Sequence, residues 1–175
     1  GVKKTQILNC TMGTLKKNIS DHWTELTYLL LMALAFFAII SWMTFRQYAV
    51  FHLRAPDVVL FSQAMWNTLN GKVLISSLTG KSILMHHFTP IFILVAPILW
   101  IWEDPRALFL VQTAGITLSG LILWLVAKSA TPRWAIPLTA VYFLNASVHD
   151  VAINELRRAP FSTPFVTLSL YGLYN

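Results

Sequence analysis

Leu26–Phe45 reads LTYLLLMALAFFAIISWMTF, twenty consecutive residues without a charge. At 1.5 Å per residue such a run makes a helix about 30 Å long, the thickness of a bilayer's hydrocarbon core. Lipid offers the backbone no hydrogen bonds, so an apolar run of this length predicts a transmembrane helix. Trp42 and Arg46 mark its far interface. The preceding residues, 1–25, carry Lys3, Lys4, Lys16 and Lys17 beside Asp21 and Glu25. They read as a basic, solvated cytoplasmic lead-in, with a short surface helix over Thr11–Glu25 as the alternative. By the positive-inside rule the N-terminus is then cytoplasmic.

Composition supports that reading. Of 175 residues, 56% are hydrophobic and only 11% are charged, whereas soluble domains carry roughly 25% charged residues. Mean hydropathy is +0.61. The net charge of +6 rests on few acids, seven in all, rather than on many bases. It therefore speaks for membrane topology and headgroup attraction, not for nucleic acid, because the bases neither cluster on one helix nor alternate with stacking aromatics. Cys10 is the lone cysteine and excludes an intrachain disulfide. The first 25 residues lack the apolar core of a cleavable signal. Gly1 in place of methionine points to processing or trimming.

Outward from the first span, the expected fold is all-α: about four transmembrane helices with juxtamembrane, interfacial ones. The lead-in is followed by a membrane domain over 26–175, with further spans at 107–127, 134–151 and 161–174. Residues 56–70 are amphipathic, with Val59, Phe61, Met65 and Trp66 set against Gln63, Asn67 and Asn70, and Asn70-Gly71 as the stop. The uncharged stretch 88–102 is fifteen residues interrupted by Pro90 and Pro97. That is short for a crossing and suits an interfacial or re-entrant segment. Gly115, Ser119 and Gly120 offer a small-residue face for helix contact. With 86–106 not crossing, the Lys128–Arg133 turn is cytoplasmic and both 46–106 and 150–158 face the other side; with 86–106 crossing, that turn flips outward with its two bases.

Few residues stand out chemically. Asp57, just after Pro56, suits a helix start as a capping acid, and alternatively a general base or metal-binding carboxylate. Glu155, Arg157 and Arg158 form a charged patch. Two guanidiniums can grip phosphate, or simply anchor among headgroups. His86, His87 and His52 are candidate metal or pigment ligands, although adjacent histidines on a helix point about 100° apart and rarely share an ion. No Walker loop, nucleophile elbow, HExxH or Rossmann glycine pattern is present.

Four ordered stretches carry a resemblance: DVVLFSQAMWNTLNGK from Asp57, HHFTPIFILVAPILWIW from His86, DPRALFLVQTAGITLSGLILWLVAKS from Asp104, and ELRRAPFSTPFVTLSLYGLY from Glu155. Together they resemble a family of prokaryotic polytopic membrane proteins of unknown function that is similar to the N-terminal region of GT-C glycosyltransferases. The resemblance implies transfer of a sugar from a polyprenyl-phosphate lipid on the outer membrane face. It places a base or a divalent-metal carboxylate at Asp57, with Gln63, Trp66 and Asn67 supporting the motif, and a lipid phosphate at Arg157. The chain departs from the family at Ser62 and His86, where acids are expected, and at Arg157, where a histidine is expected. It is also far shorter than the family's members.

The expectation with most weight is therefore a truncated, non-catalytic GT-C-like accessory or stabilising subunit of a larger membrane complex. The alternative is a working glycosyltransferase, alone as a fragment or with a partner chain. The third is a pigment-binding subunit, with chlorophyll as ligand if the complex is photosynthetic. The implied setting is a prokaryotic inner or thylakoid-type membrane. The implied partners are membrane lipids and other membrane subunits, not nucleic acid.

Overall fold

The structure is a computed structural model. It describes residues 2–50, 55–85, 88–153 and 156–174, with side chains from residue 23 onward except at 55, 56 and 174. Its helices are α1 (Val2–Ala49), α2 (Ala55–Leu69), α3 (Ile91–Val95), α4 (Ile98–Ile101), α5 (Pro105–Ala130), α6 (Ala135–Leu144), α7 (Ala146–Ile153) and α8 (Ala159–Tyr174). Among the described residues the sole β feature is one isolated bridge, Ile75 to Ser82.

Among the described residues two helices are long and apolar enough to cross a membrane: Trp23–Ala49 within α1, and all of α5. α1 begins well before its apolar run, because nothing in residues 2–25 stops a helix: that stretch has no proline, and its one glycine is Gly13. α5 starts where Asp104 accepts the Arg106 N–H at 2.8 Å and Pro105 occupies the first turn, a position that needs no amide donor.

The two long helices are antiparallel, and contacts at both ends fix this. At one end the Glu25 carboxylate pairs with the Lys128 ammonium and accepts from Trp124 Nε1 at 3.3 Å. At the other, the Arg106 guanidinium lies 6.0 Å from the Tyr48 ring centre, and the Tyr48 and Phe109 rings are 6.4 Å apart. The chain from 50 to 104 thus leaves and rejoins the bundle at the same end. Exposed tryptophans mark both ends: Trp23 and Trp134 beside the Glu25–Lys128 pair, and Trp42, Trp66, Trp100 and Trp102 at the other. Trp23 and Trp42 are nineteen positions apart in α1, which is about 28 Å along a helix, as expected for two interfacial belts.

The segment 134–151, expected as one span, is not one helix. Pro132–Leu144 and Ala146–Ile153 meet at a 47° bend. The cause is Asn145: its backbone is extended (ψ 122°), and its Oδ1 accepts the N–H groups of Ser147 at 2.8 Å and Val148 at 3.4 Å. An Asx cap restarts the helix in a new direction. Counting that bent pair as one span, the described residues hold three candidate crossings. α8 has sixteen residues with Pro164 inside it, fewer than the roughly 20 a straight crossing needs. Over 88–102 the backbone splits into α3 and α4, each opening on a proline, Pro90 and Pro97.

The core has three tiers along the bundle. Leu29, Trp124, Ala127 and Ala135 pack near the Glu25 end. Phe36, Ile40, Ile116 and Phe143 pack at mid-height. Val58, Phe61, Met65, Leu74, Phe92, Leu99, Leu108, Phe109 and Phe161 pack at the far end. The small residues of α5 serve two different neighbours. A Cβ on Gly115 would lie 2.8 Å from the Pro160 carbonyl oxygen at the start of α8, and one on Gly120 would lie 2.5 Å from the Phe143 ring of α6.

Candidate functional site

A cavity of about 340 Å³ opens at the Tyr48–Arg106 end, lined by Tyr48, Val58, Val59, Ser62, Gln63, Trp66, Leu99, Glu103, Asp104 and Pro105. One wall is the face of α2 and the other is the turn between α4 and α5. Its walls are mostly aliphatic and aromatic, with hydroxyl, amide and carboxylate groups added. That mixture suits an amphiphile more than a sugar or an ion alone.

Of the two carboxylates, Asp104 is committed. The Arg106 guanidinium bonds both its oxygens, Nε to Oδ1 at 3.0 Å and Nη2 to Oδ2 at 2.7 Å. Those hydrogen bonds hold the Asp104 carboxyl below the usual carboxylate range, against a smaller opposing effect of partial burial. Arg106 is in turn held 5.4 Å from the Trp102 ring centre, so it is neutralised and stacked rather than offered to a phosphate. Glu103 is exposed and has no ion-pair or hydrogen-bond partner among the described residues. It is therefore the cavity's uncommitted carboxylate. Nothing in the sequence singled it out, since a Glu-Asp-Pro turn before a helix reads as a capping signal.

Asp57 falls in the first turn of α2 and is half-buried. It precedes the cavity-lining Val58 and Val59 but does not itself line the cavity. Trp66 does, while 39% exposed. Gln63 and Asn67 have a further use. Gln63 Oε1 accepts from the Ser76 hydroxyl at 3.3 Å, and Asn67 Nδ2 donates to the Ile75 carbonyl at 2.7 Å. Both polar residues thereby fasten the 70–85 segment onto α2.

Arg157 and Arg158 are exposed at the turn before α8. The turn is set by Gln112, fully buried in α5. Its Nε2 donates to the Val151 carbonyl at 3.2 Å, and its Oε1 accepts the Arg157 N–H at 2.9 Å. His52, His86, His87 and Glu155 lie outside the described residues. Among the described residues no three His, Cys, Asp or Glu side chains gather in a metal-binding group.

Antiparallel apolar helices of bilayer length, with exposed tryptophans at both ends, define an integral membrane protein of α-helical class. Residues 47–175 match a family described as "Predicted membrane protein (DUF2079)", and the chain belongs to that family. It matches no curated protein and no solved structure.

Proposed function

We propose that this chain is a GT-C-like membrane unit that receives a polyprenyl-phosphate-linked substrate in the cavity beside α2. The observation that carries this reading is the cavity itself: aliphatic walls for an isoprenoid chain, and Ser62, Gln63, Glu103 and Trp66 where a polar head would sit. Its place at a tryptophan belt matches the depth at which a lipid's phosphate meets its chain. In a transfer reaction Glu103, in the cavity, or Asp57, beside it, serves as the acceptor's base, while Arg157 and Arg158, which do not line the cavity, meet lipid headgroup phosphates at the surface. The topology that goes with this has the N-terminus in the cytoplasm of a prokaryotic inner or thylakoid-type membrane, α8 as a fourth crossing, and α2, α3 and α4 in the outer interface. Lys128 and Arg133 then lie on the basic, cytoplasmic side together with the lead-in.

The test is lipid retention by native mass spectrometry, with polyprenyl phosphate and unphosphorylated polyprenol offered in competition. The phosphate form should be held, and Ser62→Trp, which fills the cavity, should release it. Equal retention of both lipids, or retention unchanged in S62W, would refute the proposal. Glu103→Gln against Asp57→Asn in a sugar-transfer assay then assigns the base.

A second reading, a non-catalytic subunit of a larger complex, is favoured by the outward faces of α6 and α8. Val141, Leu144, Phe165, Val166, Leu170 and Leu173 are all more than half exposed and need helices or lipid against them. On that reading, partner subunits co-purify in mild detergent and Asp57→Asn changes nothing.

A further inference from the structure

Between Asp57 and Glu103 the chain has no acidic residue, and its two lysines there, Lys72 and Lys81, both sit on one tongue, residues 70–85. The tongue is a built structure. Gly71 (φ +79°) and Gly80 (φ +66°) make its turns. The Ser76 N–H bonds the Lys81 carbonyl at 3.1 Å, and the Ile83 N–H bonds the Leu74 carbonyl at 2.8 Å. Leu74, left-handed at φ +48°, is held by a fully buried side chain and by its N–H on Thr68 Oγ1 at 2.9 Å. That inward anchor leaves Val73 and Leu78 facing out, Leu78 at 65% exposure. Lys72 and Lys81 are exposed and their ammonium groups have no partner among the described residues.

We propose that this tongue docks on the lipid surface at the Tyr48–Arg106 end. Leu78 and Val73 enter the boundary between headgroups and acyl chains, and Lys72 and Lys81 sit on anionic headgroup phosphates. A rigid, acid-free element with outward aliphatic side chains beside unpaired ammonium groups has the chemistry of an anionic bilayer contact. Its attachment to α2 puts it at the level of the Trp66 and Trp102 belt, where headgroups lie. The consequence is that the tongue fixes the orientation of α2, and of the cavity, to the membrane plane. This holds whether or not a lipid-linked sugar is the substrate.

Hydrogen exchange on the full chain in nanodiscs tests it, with phosphatidylcholine alone against phosphatidylcholine mixed with phosphatidylglycerol. Exchange of the 72–82 amides should slow in the anionic discs by about fivefold for each lysine engaged. The slowing should vanish in Lys72→Gln/Lys81→Gln and at high salt, while α5 amides stay unchanged and report an intact fold. Leu78→Ser should raise tongue exchange in both disc types. Equal exchange in the two compositions, or slowing that survives the double glutamine variant, would overturn charge recognition. Insensitivity to L78S would overturn insertion.

Discussion

At the scale of single residues, side chains that look alike in sequence do different work. Asp57 and Asp104 both stand at helix starts beside a proline, yet among the described residues only Asp104 has a guanidinium on both oxygens. Its carboxyl is depressed below the ordinary value near 3.9, so its contribution to stability is present above that value and lost as pH falls through the lower, folded one. Asp104→Asn keeps a capping side chain but loses the ion pair, which in this partly exposed setting costs no more than about 1 kcal/mol. The difference in thermal midpoint between D104N and the parent protein in detergent should shrink as pH drops below about 4. A difference that stays constant from neutral to strongly acidic pH would show that the charge is not its source. Gln112 makes the complementary point. Within an apolar run it reads as one polar interruption, but its amide joins α5 to both ends of the 151–157 turn, and only the approach of those backbones gives it partners.

At the scale of elements, composition decides where a helix can exist, and neighbours decide how it is cut and packed. The apolar content of 134–151 suffices for a span, but one Asx cap at Asn145 bends it. Gly115 and Gly120, read together as one small-residue face, meet different helices. Alanine at either position should cost about 1–3 kcal/mol, the usual range for overpacking. Gly115→Ala pushes on the backbone of Pro160 and should speed amide exchange in α8. Gly120→Ala pushes on the Phe143 ring and should speed it in α6. If either variant loosened both helices equally, the assignment of one neighbour to each glycine would fail.

At the scale of the whole molecule, the pairing of Glu25 with Lys128 and of Tyr48 with Arg106 fixes antiparallel crossings. The 70–85 tongue and the α5–α6 turn are then expected on opposite sides of the bilayer. In a background with Cys10→Ser, Thr79→Cys and Ser129→Cys should react with an impermeant maleimide from opposite sides of sealed vesicles. Labelling of both from one side would remove the antiparallel arrangement.

The sequence by itself determined that lipid is the solvent and that the chain is helical. It also set where the two long crossings run, because an uncharged run of bilayer length has no other stable state. It pointed to the α2 motif as well, through Gln63, Trp66 and Asn67. Tertiary structure alone decided that two of these three hold a tongue in place, that Glu103 lines the cavity while Asp57 stands beside it, and that the third segment is bent. The reason is physical. Burial in lipid is summed along the chain and can be read residue by residue. A cavity, an ion pair or a cap depends on which distant atoms arrive within about 3 Å, and that is set only when the helices pack.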